Sequence, residues 1–85
     1  MELFFCKEGD RLISDKGNVF IYVDEDKNDY FPHRLRREKD GKIFFCFDDG
    51  TGLKDENMSL QYEDIIGTFS KNYMHIKIDN LKYKK

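Results

Sequence analysis

Two histidines, His33 and His75, are the side chains of this chain best suited to general acid–base catalysis at neutral pH. Neither stands in a nucleophile motif or beside a glycine turn that would form an oxyanion site. His33 is expected to be a strand residue beside Phe47, and His75 a strand residue that faces solvent. Because no acid, base and nucleophile converge, the sequence predicts a protein without catalytic activity.

Paired carboxylates offer a second route to catalysis, at Asp48 and Asp49 and at Glu63 and Asp64. Both pairs are adjacent in sequence and fall in predicted turns. Adjacent side chains of an extended chain point to opposite sides. The two members of each pair are therefore not expected to act on one substrate.

Three oxygen-bearing side chains, Asp24, Asp26 and Asn28, have the spacing with which a calcium loop begins. The sixth position of that loop would be Asp29, where glycine is required, and the twelfth would be Leu35, where a bidentate glutamate is required. The match therefore fails. The segment is interpreted as a solvated hairpin loop, and no metal site is predicted.

The two cysteines, Cys6 and Cys46, lie forty positions apart in sequence. A structural zinc site needs closely paired ligands, and disulfides are rare inside cells. We therefore expect two reduced thiols in or near strands, and the sequence indicates no cofactor.

The best candidates for ligand binding are Arg34, Arg36 and Phe44, with Tyr22 and Tyr73 as weaker candidates. A guanidinium and aromatic cluster on one strand face suits phosphates and stacked bases. The alternative is a solvated face on which the arginine stems cover an exposed phenylalanine.

These residues depend on a hairpin over residues 30–49, with Lys39, Asp40 and Gly41 as a three-residue loop. Gly41 is expected in the left-handed region. In this register Leu35 faces Phe45, whereas a two-residue loop would divide the apolar residues between the faces. The chosen register leaves four residues on the outer face, namely Arg34, Arg36, Phe44 and Cys46.

The rest of the chain is read as short strands between glycine turns. The segment 19–24 is apolar on both faces and is expected to be a central strand covered on both sides. Residues 58–66 are either a strand or one helical turn, with Leu60, Ile65 and Ile66 directed inwards. Further strands are predicted at residues 1–6, 11–14 and 73–81. The fold class predicted for residues 1–85 is a single all-β domain, either a small antiparallel SH3-like barrel or a strongly bent sheet.

Composition limits the function classes. The 15 basic and 17 acidic side chains give a formal net charge of −2, which argues against a general nucleic-acid coat protein but permits a local basic patch. From Lys71 onwards five lysines accompany one aspartate, so the C-terminal end is lysine-rich. No signal peptide and no membrane-length apolar run is visible, and a soluble cytoplasmic protein is expected.

One resemblance covers residues 9–65, about two thirds of the chain. It starts from Gly9 and Asp10, followed by Tyr30 and Pro32 before the hairpin. The later matches are Phe47, Asp48, Asp49 and Gly50, then Ser59 and Leu60. The pattern resembles small uncharacterised proteins of bacteriophages and mobile elements of Bacteroides-like hosts. Phe31 between the tyrosine and the proline, and Met58 where proline is usual, depart from it.

This resemblance implies a small β domain that binds a host protein, a nucleic acid or a nucleotide. We therefore expect a non-enzymatic binding protein that sequesters or blocks a host component, such as a defence factor. The alternative is a nucleic-acid-binding or nucleotide-binding module that uses the arginine and aromatic face. Acidic loops over residues 24–29 and 48–64 favour a basic host protein, and an exposed edge strand could form a homo-oligomer.

Overall fold

A computed structural model describes residues 2–68 as a six-stranded antiparallel sheet preceded by a 3-10 helix at Leu3–Phe5. The strands are β1 (Arg11–Ser14), β2 (Val19–Glu25), β3 (His33–Arg37), β4 (Ile43–Cys46), β5 (Lys54–Asp55) and β6 (Ile65–Thr68). Their spatial order is β5-β4-β3-β2-β1-β6, so a five-stranded meander is completed by β6 beside β1. The all-β prediction is confirmed, and within residues 2–68 no ladder joins the two edges of the sheet.

Some sequence predictions fall outside the described residues. They concern the strand at 73–81, the candidate residue Tyr73, the second histidine His75 and the lysine-rich C-terminal end. Residues 2–68 hold no helix long and apolar enough to cross a membrane.

The core lies on one face of the sheet, because alternate residues of each strand point the same way. Its largest members include Phe20 on β2, Leu35 on β3 and Phe44 on β4, all almost completely buried. The Phe20 and Phe44 rings meet edge to face with centroids 5.6 Å apart. The other face of β2 is only half-buried, so the prediction of a strand covered on both sides is wrong, although β2 is an interior strand.

Cys6 and Cys46 are not joined to each other in the structure. Cys46 belongs to the core and Cys6 is partly buried against it. Burial raises the pKa of the Cys46 thiol to about 12, so this residue is a poor nucleophile.

The hairpin between β3 and β4 has neither of the registers considered from the sequence. Arg37 N–H donates to Lys42 O at 2.8 Å, which makes the loop four residues long. The Asp40 carboxylate favours this longer loop, because it accepts from the Lys42 amide at 3.2 Å and from the Arg37 guanidinium at 2.5 Å. Gly41 has a φ of +73°, as expected for a left-handed turn residue.

The new register exchanges faces in β4. Leu35 now pairs with Phe44, and Arg34 pairs with Phe45. Phe44 and Cys46 therefore lie in the core and not on the outer face with the arginines. The prediction failed because one additional loop residue moves every side chain of a strand to the other face.

Two end segments also differ from the prediction. Residues 3–5 form a 3-10 turn that buries Leu3 and exposes Phe4 and Phe5, where a strand was expected. Its position is fixed by the Leu3 amide, which donates to Asp48 O at 2.8 Å.

Residues 58–64 form neither the helical turn nor the continuous strand that the sequence allowed, and the strand β6 begins at Ile65. Ile65 is buried as predicted, whereas Leu60 and Ile66 are exposed. Ile66 is the extra residue where the β1–β6 register shifts, so its side chain leaves the core face.

We expect Gly50→Ala to reduce the free energy of unfolding by about 3 kcal/mol, and Gly41→Ala by about 1 kcal/mol. Both glycines have positive φ, but a Cβ at Gly50 would lie 2.4 Å from Ile65 O, whereas Gly41 has open space around it. Urea unfolding of the two variants beside the wild type measures the difference. Equal losses would contradict the close approach of the turn to β6.

Candidate functional site

A buried histidine lies at the centre of the most unusual polar arrangement among the described residues. His33 opens β3 directly after Pro32, and its side chain is fully buried. Its Nδ1 lies 2.6 Å from the Tyr22 hydroxyl and its Nε2 lies 2.6 Å from Asp48 Oδ1. In the neutral imidazole, Tyr22 donates to Nδ1 and the Nε2–H donates to Asp48.

A β-bulge in β2 adds a fourth member. Tyr22 pairs with Leu35, but the next pair is Asp24 with Arg34, so Val23 is an extra residue. The bulge reverses the alternation beyond it, and Glu25 therefore lies opposite His33 on the inner face. We call Tyr22, Glu25, His33 and Asp48 the histidine cluster.

Asp48 reaches the cluster from the turn after β4. The Gly50 amide donates to Phe47 O at 3.0 Å and closes this turn, while Asp48 O accepts from the Leu3 amide. The Asp48 side chain is 49% exposed, in contrast to the fully buried imidazole. One end of the cluster is therefore open to solvent.

The environment of the cluster disfavours negative charge on the tyrosine. The pKa of Tyr22 is raised to about 12. Burial is the main cause, and the negative charge of the nearby Glu25 carboxylate adds to it. Tyr22 is thus a neutral hydrogen-bond partner of His33 over the whole physiological pH range.

Acid–base chemistry on an external substrate would require this cluster to open. Both imidazole nitrogens are occupied, and the ring itself has no exposed surface. The side chain of Cys46, which pairs with His33 across β3 and β4, is buried with a raised pKa. The arrangement can orient an imidazole, but it presents no activated nucleophile.

The adjacent carboxylates have different partners, as their spacing predicts. Asp48 contacts His33, whereas Asp49 accepts from the amide and hydroxyl of Thr51 at 3.0 and 2.6 Å. Glu63 is buried and accepts from Asn18 Nδ2 at 2.7 Å and from the Ser14 hydroxyl. These bonds fasten the β1–β2 turn to the segment that leads into β6.

The residues predicted to bind a ligand do not form one surface. Arg34 and Arg36 share the outer face of β3, but Phe44 lies in the core and Tyr22 in the histidine cluster. Arg34 is paired with Asp24, to which its Nε donates at 2.9 Å. The aromatic ring opposite Arg34 is that of Phe45, not Phe44.

The shallow groove beside Arg34 is also acidic. Its lining contains Asp24, Asp26 and Asp29 together with Phe31, Pro32 and Phe45. Three carboxylates around one arginine make a poor site for a phosphate. The guanidinium that lies over the Phe44 ring is that of Arg37, 4.8 Å from the ring centroid, and not that of Arg34 or Arg36.

Exposed aromatic rings gather around the open end of the histidine cluster. Phe5 and Tyr30 are 81% and 78% exposed, and Phe4 is half-exposed with its ring edge-on to His33 at 6.5 Å. Tyr30 leans on Phe47 with centroids 5.5 Å apart. We call this surface the aromatic–acidic face; its residues are Phe4, Phe5, Lys27, Asp29, Tyr30, Pro32, Phe47, Asp48 and Asp49.

Sequence reasoning missed both features. The alternation of β2 placed Tyr22 correctly within a strand, but a bulge at Val23 has no sequence signal. His33 was assigned to a strand beside Phe47, yet its strand partner is Cys46. The turn position of Asp48 was the one available signal, since Asp in a glycine turn often accepts hydrogen bonds.

Comparisons of this chain with protein-family models, curated proteins and solved structures found no significant match.

We expect the free energy of unfolding of the wild type to fall as pH rises from about 10 towards about 12. In that window the unfolded chain ionises Tyr22 at its ordinary pKa of 10.0, while the folded chain retains the proton up to about 12. Below pH 10 the Tyr22 hydroxyl makes its full contribution to the free energy of unfolding, because both the folded and the unfolded chain keep its proton. Urea unfolding across this window should show that the free energy of unfolding of Tyr22→Phe depends less steeply on pH than that of the wild type.

The control for this pH dependence is Tyr30→Phe, because the ring of Tyr30 is exposed. It should keep the wild-type slope. An unchanged slope in Tyr22→Phe would show that the buried hydroxyl does not resist ionisation.

Proposed function

We propose that this chain is a small non-enzymatic binding protein that blocks or sequesters another protein through the aromatic–acidic face. The observation that carries this proposal is the placement of exposed Tyr30 beside the carboxylates of Asp29, Asp48 and Asp49, which outnumber the single lysine there, Lys27. Exposed Phe5 joins this surface through its ring contact with Phe4. Contiguous exposed aromatic surface is unusual for a small protein and marks interaction sites. Aromatic residues are also the side chains most enriched in the centres of protein interfaces.

Charge favours a basic partner. Residues 2–68 hold 10 of the 15 basic and 16 of the 17 acidic side chains, which gives this part of the chain a formal net charge of −6. Several of the basic side chains are used within the domain, including Arg34 with Asp24 and Arg37 with Asp40. An approaching lysine or arginine would meet carboxylates and the faces of aromatic rings, and both attract cations.

The aromatic–acidic face is also preorganised. The Phe31 and Phe47 rings stack with centroids 4.6 Å apart, and Tyr30 meets both edge to face. Lys54 covers the Phe31 ring at 5.0 Å. Rings held in this way lose little freedom when a partner binds, so more of the contact energy is available for affinity.

The resemblance to phage and mobile-element proteins supports a more specific version of the proposal. In it the partner is a component of a bacterial host, such as a defence factor, and the protein acts in the host cytoplasm. A basic surface on such a factor, of the kind that binds nucleic-acid phosphates, would be complementary to the acidic charge of residues 2–68.

Nucleic-acid or nucleotide binding is the alternative. It rests on Arg36, which lies on the outer face opposite Ile21 and Ile43, and on the five lysines from Lys71 onwards. The negative charge of residues 2–68 opposes it. Because binding of a basic protein would also weaken with salt, the two functions are distinguished by which variant loses binding: Arg36→Ala for a nucleic acid, and Tyr30→Ala for a basic protein.

We expect random peptides selected on the immobilised protein to be enriched in lysine and arginine. Tyr30→Ala and Phe5→Ala should each weaken binding of a selected peptide about tenfold or more, because buried aromatic anchors carry most of the energy of an interface. Tyr62→Ala is the matched control, since Tyr62 is 79% exposed but is not part of the aromatic–acidic face. Fluorescence anisotropy of the labelled peptide measures the affinities.

Two results would contradict the proposal. One is a loss of peptide affinity in Tyr62→Ala as large as that in Tyr30→Ala and Phe5→Ala. Such a loss would show that any exposed aromatic side chain contributes to peptide binding, wherever it lies on the surface. The other is failure to select basic peptides, combined with salt-sensitive binding of a short oligonucleotide that Arg36→Ala abolishes. That second result would support the alternative function.

A further inference from the structure

Three members of the histidine cluster carry ligand atoms of the kind that divalent metal ions accept. Glu25, His33 and Asp48 each offer one ligand atom, and these three atoms lie within 4.8 Å of one another. Imidazole nitrogen and carboxylate oxygen are ligands that zinc and its neighbouring divalent metals accept. Two carboxylates and a neutral imidazole also balance the charge of a divalent cation.

The fold brings these residues together from three separate places. The bulge at Val23 directs Glu25 to the same side as Tyr22, and His33 is its strand partner on β3. Asp48 comes from the turn that Gly50 closes. Bulges are common beside functional sites because they redirect single side chains, and this one creates the meeting of Glu25 with His33.

The second nitrogen of the imidazole has the partner that a metal-binding histidine needs. Such a histidine almost always donates its other N–H to an oxygen, which fixes the ring orientation. The Tyr22 hydroxyl lies 2.6 Å from Nδ1 and can fill this role. With a cation on Nε2, the single imidazole proton would lie on Nδ1 and donate to the Tyr22 oxygen.

Only small movements separate the present geometry from coordination. Ligand atoms around a tetrahedral zinc are about 3.3 Å apart, given bond lengths of about 2.0–2.1 Å. The 2.6 Å contact between His33 Nε2 and Asp48 Oδ1 would open slightly, and the carboxylate of Glu25 would close in. The half-exposed Asp48 gives a cation access from solvent.

We infer that Glu25, His33 and Asp48 form a binding site for a divalent first-row cation, with Zn²⁺ the best match and water completing the coordination. The bound cation would join β2, β3 and the turn after β4. Asp48 belongs both to this site and to the aromatic–acidic face. The two proposals can nevertheless fail separately, because the peptide test of the proposed function changes Phe5 and Tyr30, and neither of these is a ligand.

Buffered Zn²⁺ should bind with a stoichiometry of one and raise Tm by about 10 °C or more at a hundredfold excess over Kd. Glu25→Gln and Asp48→Asn should each abolish this rise. Tyr22→Phe should weaken Zn²⁺ affinity about 10–100-fold, because it removes the oxygen that orients the imidazole. Differential scanning calorimetry gives Tm, and competition with a chromophoric chelator gives the affinity.

Two control variants separate this site from other ligands. Asp24→Asn changes the neighbouring carboxylate on the outer face of β2, and His75→Ala removes the second histidine of the chain. Both should bind Zn²⁺ as the wild type does. Circular dichroism without metal identifies any variant that does not fold, in which case the remaining carboxylate variant decides the test.

Co²⁺ provides an independent readout through its visible absorption. A cobalt spectrum with oxygen and nitrogen ligation, lost in Asp48→Asn, would support the site. Thiolate charge-transfer bands would assign the metal to the cysteines and overturn the inference. It would also be overturned by the lack of saturable Zn²⁺ binding, or by binding that Glu25→Gln and Asp48→Asn both retain.

Discussion

The structure depends on satisfying a completely buried imidazole. A buried ring nitrogen without a partner costs about 1–3 kcal/mol, a large share of the stability of a domain of this size. His33 meets this requirement with Tyr22 on one side and Asp48 on the other. These bonds connect β2, β3 and the turn after β4. The same turn positions Phe47 below Tyr30 and accepts the Leu3 amide that anchors Phe4 and Phe5.

Charge pairing determines what the surface can attract. Arg11 pairs with Glu38, Arg34 with Asp24, and Arg37 with Asp40. Of the two arginines that suggested an anion site, Arg34 is therefore engaged within the domain. The Arg37 guanidinium also holds the pKa of Asp40 down to about 2, which keeps that carboxylate charged. Beside the exposed Tyr30 lie three carboxylates and one lysine, Lys27, and this excess of negative charge is the reason for proposing a basic protein partner rather than a nucleic acid.

Two irregularities in the pairing decide which side chains meet on each face of the sheet. Without the extra residue at Val23, Asp24 would share the face of Tyr22, and Glu25 would lie on the outer face beside Arg34. The four-residue loop after Arg37 has a comparable effect on β4, because it turns Phe44 and Cys46 into the core. Each irregularity is a one-residue change in pairing, and each reverses which side chains can meet.

The sequence by itself determined the all-β class, the strands at 11–14 and 19–24, and the hairpin with a left-handed Gly41. These follow from local preferences: β-branched and aromatic runs favour extended backbone, and glycine turns divide them. Tertiary structure alone decided the hairpin register, the bulge at Val23 and the burial of His33. Register and bulges depend on which partner strand satisfies the buried groups, and that choice involves residues distant in sequence. Thus Arg34 and Arg36 were predicted to share a face, whereas the meeting of Glu25, His33 and Asp48 was not.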